Sequence, residues 1–115
     1  MTTKRLGAHP RSTEAVIHDE TVYLPVITAK DFTPSVTDQT RQVLRQIEER
    51  LAACGTDKYR ILSATVIVTD QRIFDEMNAV WDNWVPWHDP PVCTFLVSRL
   101  APEGRKVGIQ LTVAQ

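Results

Sequence analysis

Apolar and non-apolar residues alternate without a fault near the end of the chain. Val107, Ile109, Leu111 and Val113 interleave with Gly108, Gln110, Thr112 and Ala114, which predicts a strand with one core face and one small or polar face. Residues 61–69 are rich in β-branched types and predict another strand. On it Leu62, Ala64, Val66 and Val68 take one face, and Ser63, Thr65 and Thr69 with Ile61 and Ile67 take the other. A third strand opens after Pro90-Pro91, whose rings carry no backbone N–H and push their predecessors out of the helical region. It places Cys93, Phe95 and Val97 on an apolar face, expected under helices, and Val92, Thr94, Leu96 and Ser98 on a mixed one. The rest of the chain is expected to be organised around this stretch, residues 89–100.

Helical spacing governs two other segments. Thr40, Val43, Leu44, Ile47, Leu51 and Cys54 form a stripe, with Gln39, Arg41, Gln42, Arg45, Glu48, Glu49 and Arg50 on the wet side. Thr33 as N-cap, Pro34 in the first turn and Gly55 after the last bound this helix. Asp70 caps a second helix with Ile73, Phe74, Met77, Val80, Trp81 and Trp84 on its stripe. Upstream, residues 15–18 and 21–24 read as a hairpin around Asp19-Glu20, residues 3–7 as a short edge strand, and 25–34 as a loop. The order β-β-β-α-β-α-β-β gives an α+β domain spanning residues 1–115, with two helices on one face of a mixed six-stranded sheet. No helix remains for the other face, which carries Ser63, Thr65, Thr94, Gln110 and Thr112 among apolar neighbours. That face is expected to associate with further copies of the chain.

Composition narrows the function. The 115 residues are 43% hydrophobic and 23% charged, with a formal net charge of −1 and a pI near 6.3. This lacks the positive field that phosphate neutralisation needs, so nucleic acid is not expected as a partner. No apolar run is long enough to span a membrane, and no signal peptide is visible. Cys54 and Cys93 read as free buried thiols of a cytoplasmic protein. His9, His18 and His88 have no metal-like spacing with each other or with the cysteines. Trp84, Trp87 and His88 read either as a lid over a flat ligand or as a packed loop. Arg99, at a strand end, reads as a structural or interface ion-pair partner.

The motifs Gln39-Thr40-Arg41-Gln42-Val43-Leu44, residues 65–70, residues 74–81 and Arg99-Leu100 resemble the YjgF/RidA family of reactive intermediate deaminases, also labelled endoribonuclease L-PSP. The resemblance covers nearly the whole chain, and Asn78-Ala79-Val80-Trp81-Asp82-Asn83-Trp84-Val85 is most similar to the YoaB-type branch. It implies a chorismate-mutase-like fold and a homotrimer whose sheets form a central barrel with small-metabolite clefts between subunits. It implies no cofactor and no metal. Active members hydrolyse enamines and imines to 2-keto acids and ammonia.

Most of the family's functional residues do not carry over. The arginine that grips the substrate carboxylate matches Val92, which cannot hold an anion. The glutamate that positions water matches Gln110, which can orient a water but not take its proton. The aromatic residue near the N-terminus matches Ser12, and the Ser-Gly-Gln turn matches Pro25-Val26-Ile27. Thr94 stands where cysteine is common. Cleft-lining candidates are therefore Val92, Thr94, Gln110, Thr112, Ser12 and Trp87, with no catalytic residue assigned; plain interface packing is the competing reading of the first four. The expected function is a metabolite-binding homotrimer without the standard arginine-dependent deaminase activity. The alternatives are a divergent imine deaminase and, more weakly, a ribonuclease.

Overall fold

The computed structural model describes residues 2–32, 35–101 and 103–115. Strands β1 (Thr3–His9), β2 (Ser12–His18), β3 (Thr21–Tyr23) and β4 (Ile27–Thr28) precede helix α1 (Val36–Ala53). Then come β5 (Ile61–Val68), α2 (Phe74–Trp84), β6 (Val92–Val97) and β7 (Val107–Ala114). The sheet runs β1-β2-β3-β7-β5-β6, with β4 also on β7. β5 and β6 are parallel and the other pairs antiparallel. The two-layer α+β architecture with both helices on one face is thus as read. The sheet has seven strands rather than six, because the expected loop 25–34 contributes the two-residue β4.

The centre of the sheet lies elsewhere than expected. β7 sits between β3 and β5, and its inward residues Val107, Ile109, Leu111 and Val113 are fully buried with Val66, Val68, Ile47, Leu51 and Met77. β6 is an edge strand. Its parity is as expected, since Cys93, Phe95 and Val97 pair with the inward Ala64, Val66 and Val68. Yet Phe95 remains 41% exposed, touching Phe74 edge-on at 5.5 Å. A residue on an edge strand has neighbours on one side only.

Two further differences have local causes. Ile61 pairs with Val113 and Ser63 with Thr112, leaving Leu62 as the extra residue of a β-bulge. The bulge turns Ile61 inward and leaves Leu62 half exposed, the reverse of simple alternation. Gln39 is fully buried rather than wet. Its Nε2 donates to the Phe32 carbonyl at 2.9 Å and its Oε1 accepts from the Lys106 N–H at 3.1 Å. Gln42 Oε1 accepts from the Asp31 N–H, and Gln46 Nε2 donates to the Thr28 carbonyl. Helical spacing puts these three amides in line, where they bond the backbone of Thr28, Asp31 and Phe32 and, through Gln39, of Lys106.

The caps follow ordinary rules. Thr33 and Pro34 lie outside the described residues; Ser35 is the N-cap of α1, its side chain accepting from the Asp38 N–H. Glu76 reaches across from α2 to accept from the Thr37 N–H and hydroxyl at 3.0 and 2.8 Å. Gly55 follows the C-cap at φ +76°, the left-handed conformation that favours glycine. Asp70 caps the short 3-10 turn that leads into α2. The Arg72 guanidinium holds the Asp70 carboxyl well below the usual range, at about 2. Asp19 and Glu20 both have positive φ, as a two-residue hairpin turn demands.

Candidate functional site

The register assembles the open face row by row. Val92, Ser63, Thr112 and Tyr23 are cross-strand neighbours on β6, β5, β7 and β3. Thr94, Thr65 and Gln110 form the next row, and Leu96, Ile67 and Gly108 the third. Four of the sequence candidates, Val92, Thr94, Gln110 and Thr112, therefore share one surface. It is apolar at its margins: Val92 is 73% exposed, and Leu96, Leu62, Tyr23 and Val26 are each more than two-fifths exposed. Gly108 seats this surface closely, because a Cβ there would stand 2.7 Å from Val26 Cγ1 and 3.2 Å from Leu100.

Gln110 is not a free amide. Its Nε2 donates to the Leu24 carbonyl at 3.0 Å and the Leu111 carbonyl at 2.9 Å. Two carbonyl oxygens accept only from an N–H, so the side chain has one possible orientation. Gln110→Glu would set a carboxylate against those two oxygens and remove both donors. We expect it to lower stability at neutral pH by about 1–3 kcal/mol, the cost of leaving such groups unpaired. The carboxyl's folded-state pKa should be raised, so the deficit should shrink as the pH falls and the acid protonates. Urea denaturation at neutral and acidic pH checks this; equal stability of variant and parent at pH 7 would refute it.

The remaining candidates lie apart within one chain. Ser12 follows the Pro10-Arg11 turn at the start of β2, near the far edge of the sheet, with its Oγ 3.3 Å from His9 Nε2. Trp87 is 78% exposed and stacks on His88 with ring centroids 3.6 Å apart. It belongs to the loop ahead of β6, where Lys58, Tyr59, Trp84, His88 and Asp89 help it enclose a cavity of about 390 Å3. Lys58 Nζ donates to the Trp84 carbonyl at 2.9 Å and lies 5.2 Å from the Trp84 ring centre. Trp84 Nε1 is buried with no hydrogen-bond partner among the described residues.

The cysteines are not poised as nucleophiles. Burial pushes both thiols up, although Lys4 and Arg50 pull Cys54 the other way, and the protonated thiol is the unreactive form. Among the described residues no three His, Cys, Asp or Glu side chains gather as a metal would require, and no helix is long and apolar enough to cross a membrane. Sequence reading missed the contributions of Leu62 and Val26 to the open face. The first is hidden by the bulge, and the second by a loop whose β4 is too short to announce itself.

Two helices on one face of a mixed sheet, with the opposite face half apolar and open, define a small α+β layer protein. The family model described as Endoribonuclease L-PSP matches residues 2–115. The chain is 34% identical over 115 residues to the RutC family protein YoaB of Escherichia coli (strain K12), covering 99% of each. A crystal structure of NMB1025 from Neisseria meningitidis, a member of the YjgF protein family, superposes with a TM-score of 0.96 at 33% identity, over 100% of this chain and 96% of that one. A more distant relative, the human 2-iminobutanoate/2-iminopropanoate deaminase, is 25% identical over 120 residues, covering 99% of this chain and 87% of that protein. The chain belongs to the endoribonuclease L-PSP family, the YjgF/RidA group whose fold its own residues build.

Proposed function

We propose that three copies join through the open sheet faces and bind a small metabolite in the clefts between them, without the arginine-dependent hydrolysis of imines. The observation that carries this reading is the surface of Val92, Thr94, Leu96, Thr112 and Gln110. It is too apolar to favour water, and it presents a valine and an anchored amide where the family resemblance implies an arginine and a glutamate in active members. Such a ligand is held by shape and neutral hydrogen bonds, with Thr94, Thr112 and Ser63 hydroxyls available to it. Assembly would also bring Ser12 of one copy towards β6 of the next, which no single chain does. The two free thiols fit a reducing, cytoplasmic setting.

A divergent deaminase is the second reading, favoured by the likeness to a relative named as an imine deaminase. Ribonuclease activity has only the family's description behind it, and a chain of net charge −1 offers phosphates little attraction. Light scattering tests the assembly. The mass should be three times the 13.0 kDa of one chain, and Leu96→Glu, which would bury a charge in the interface, should return it to one chain with the fold intact. A parent protein that stays monomeric at micromolar concentration would end the proposal.

A further inference from the structure

Beyond β6 the chain turns back to β7 and borders an open cavity of about 410 Å3 lined by Thr69, Arg99-Leu100 and residues 103–106. Three cations, Arg99, Arg105 and Lys106, line it with one carboxylate, Glu103, in a chain whose formal net charge is −1. The walls are fixed from several sides. Arg105 Nε donates to Thr28 Oγ1 at 2.6 Å, and its guanidinium lies 4.6 Å from the centre of the Phe32 ring. The buried amide of Gln39 joins the Phe32 carbonyl to the Lys106 N–H. The Thr69 N–H donates to the Lys106 carbonyl at 3.1 Å. Gly104, at φ +100°, seats so closely on Phe32 that a Cβ would stand 2.9 Å from the ring.

The geometry points to a binding site for a small dianion with oxygen acceptors, a dicarboxylate or a phosphate ester. The Arg105 guanidinium, fixed by Thr28 and Phe32, offers such a group a positive charge already in place and loses little freedom on binding. The cavity has the size of an ordinary small-molecule site. Among the described residues Arg99, Glu103 and Lys106 form no ion pair. Seven residues separate Val92 from Arg99, about 23 Å along a strand. Leu100 lines this cavity and also stands against Gly108 of the third row, so the site adjoins the open face at the end away from Val92, and it needs none of the cleft chemistry proposed there.

The test is amide NMR of the intact 15N-labelled chain at constant ionic strength, titrated separately with inorganic phosphate, succinate and chloride. The expected result is a saturable shift of the Thr69, Arg99, Gly104 and Lys106 amides with phosphate or succinate and none with chloride. Whichever of the two saturates names the ligand's anionic group. Arg99→Gln and Lys106→Gln should each weaken binding about tenfold or more, as the loss of a charge-assisted contact does, with thermal midpoints unchanged. Arg105→Lys, which keeps the charge and loses the fork, should weaken it as well, and Arg11→Gln should leave it unaltered. Shifts linear in anion concentration, equal shifts at Arg11 and Arg45, or binding indifferent to both Gln variants would each overturn the site.

Discussion

Purified protein supplied with an imine formed from an amino acid should hydrolyse it at close to the spontaneous rate. Such an imine carries a carboxylate, and the position to which the family resemblance assigns the gripping arginine is Val92, an exposed valine on the edge strand. Losing a bidentate, charge-assisted contact should cost on the order of 2–5 kcal/mol, by analogy with truncating one partner of a buried charge pair. At about 1.4 kcal/mol per tenfold, that is a factor of roughly 30 to several thousand in kcat/KM. The missing general base is worth about 100-fold or more again. The two losses act on one bound substrate and need not add. Val92→Arg should lower KM with little gain in kcat.

Adding Gln110→Glu does not simply complete the site. It supplies a base and at the same time breaks the bonds to the Leu24 and Leu111 carbonyls. Recovery in the double variant should therefore appear only where the variant remains folded. Stopped-flow assay of 2-keto acid release measures all three proteins. Rates typical of enzymes in the parent protein would mean that another cation, such as Arg11 or Arg105 of a neighbouring copy, holds the carboxylate.

Ile109→Ala should destabilise the chain by about 2–5 kcal/mol, the range for emptying a buried aliphatic site. Ile109 has no exposed surface; β4 lies on one side of it and β5 on the other, with Ile27 and Val66 as its cross-strand partners. No partner can follow the lost methyls without moving the middle of the sheet. Phe95→Ala, chemically the larger deletion, should cost less, roughly half of the ~3–5 kcal/mol of a fully buried phenylalanine. In the single chain two-fifths of Phe95 is already in water. Urea denaturation of both variants at low protein concentration decides between them. A Phe95 loss equal to that of Ile109 would show that β6 is covered by another copy.

The same contrast separates what was legible in the chain from what was not. Alternation along β7 and the stripes of α1 and α2 are properties of neighbouring residues, so their inward faces were readable. So was the parity of β6, which put Val92 and Thr94 on the surface where Gln110 and Thr112 also stand. The hairpin at Asp19-Glu20 was readable for the same reason. Which strand would be central was not. The segment 89–100 is apolar enough to look like a centre, yet its strand β6 lies at the edge beside β5, while β7 lies between β3 and β5 and takes β4 as well. Leu62 faced outward against its pattern because a bulge is defined by the partner strand, and Gln39 went inside because Phe32 and Lys106 offered its amide two backbone bonds.

The sequence by itself determined the helices, the strands other than β4, the inward faces of most of them, and a family resemblance stripped of its usual arginine and glutamate. The tertiary structure decided the strand order, the anchoring of Gln110, the separation of Ser12 and Trp87 from the rows around Val92, and the gathering of Arg99, Arg105 and Lys106 about one cavity. The division has a physical basis. Periodicity is set by bonds between adjacent residues, whereas a strand's neighbours and an amide's partners are set by groups distant in the chain, whose positions exist only once the sheet has closed on its helices.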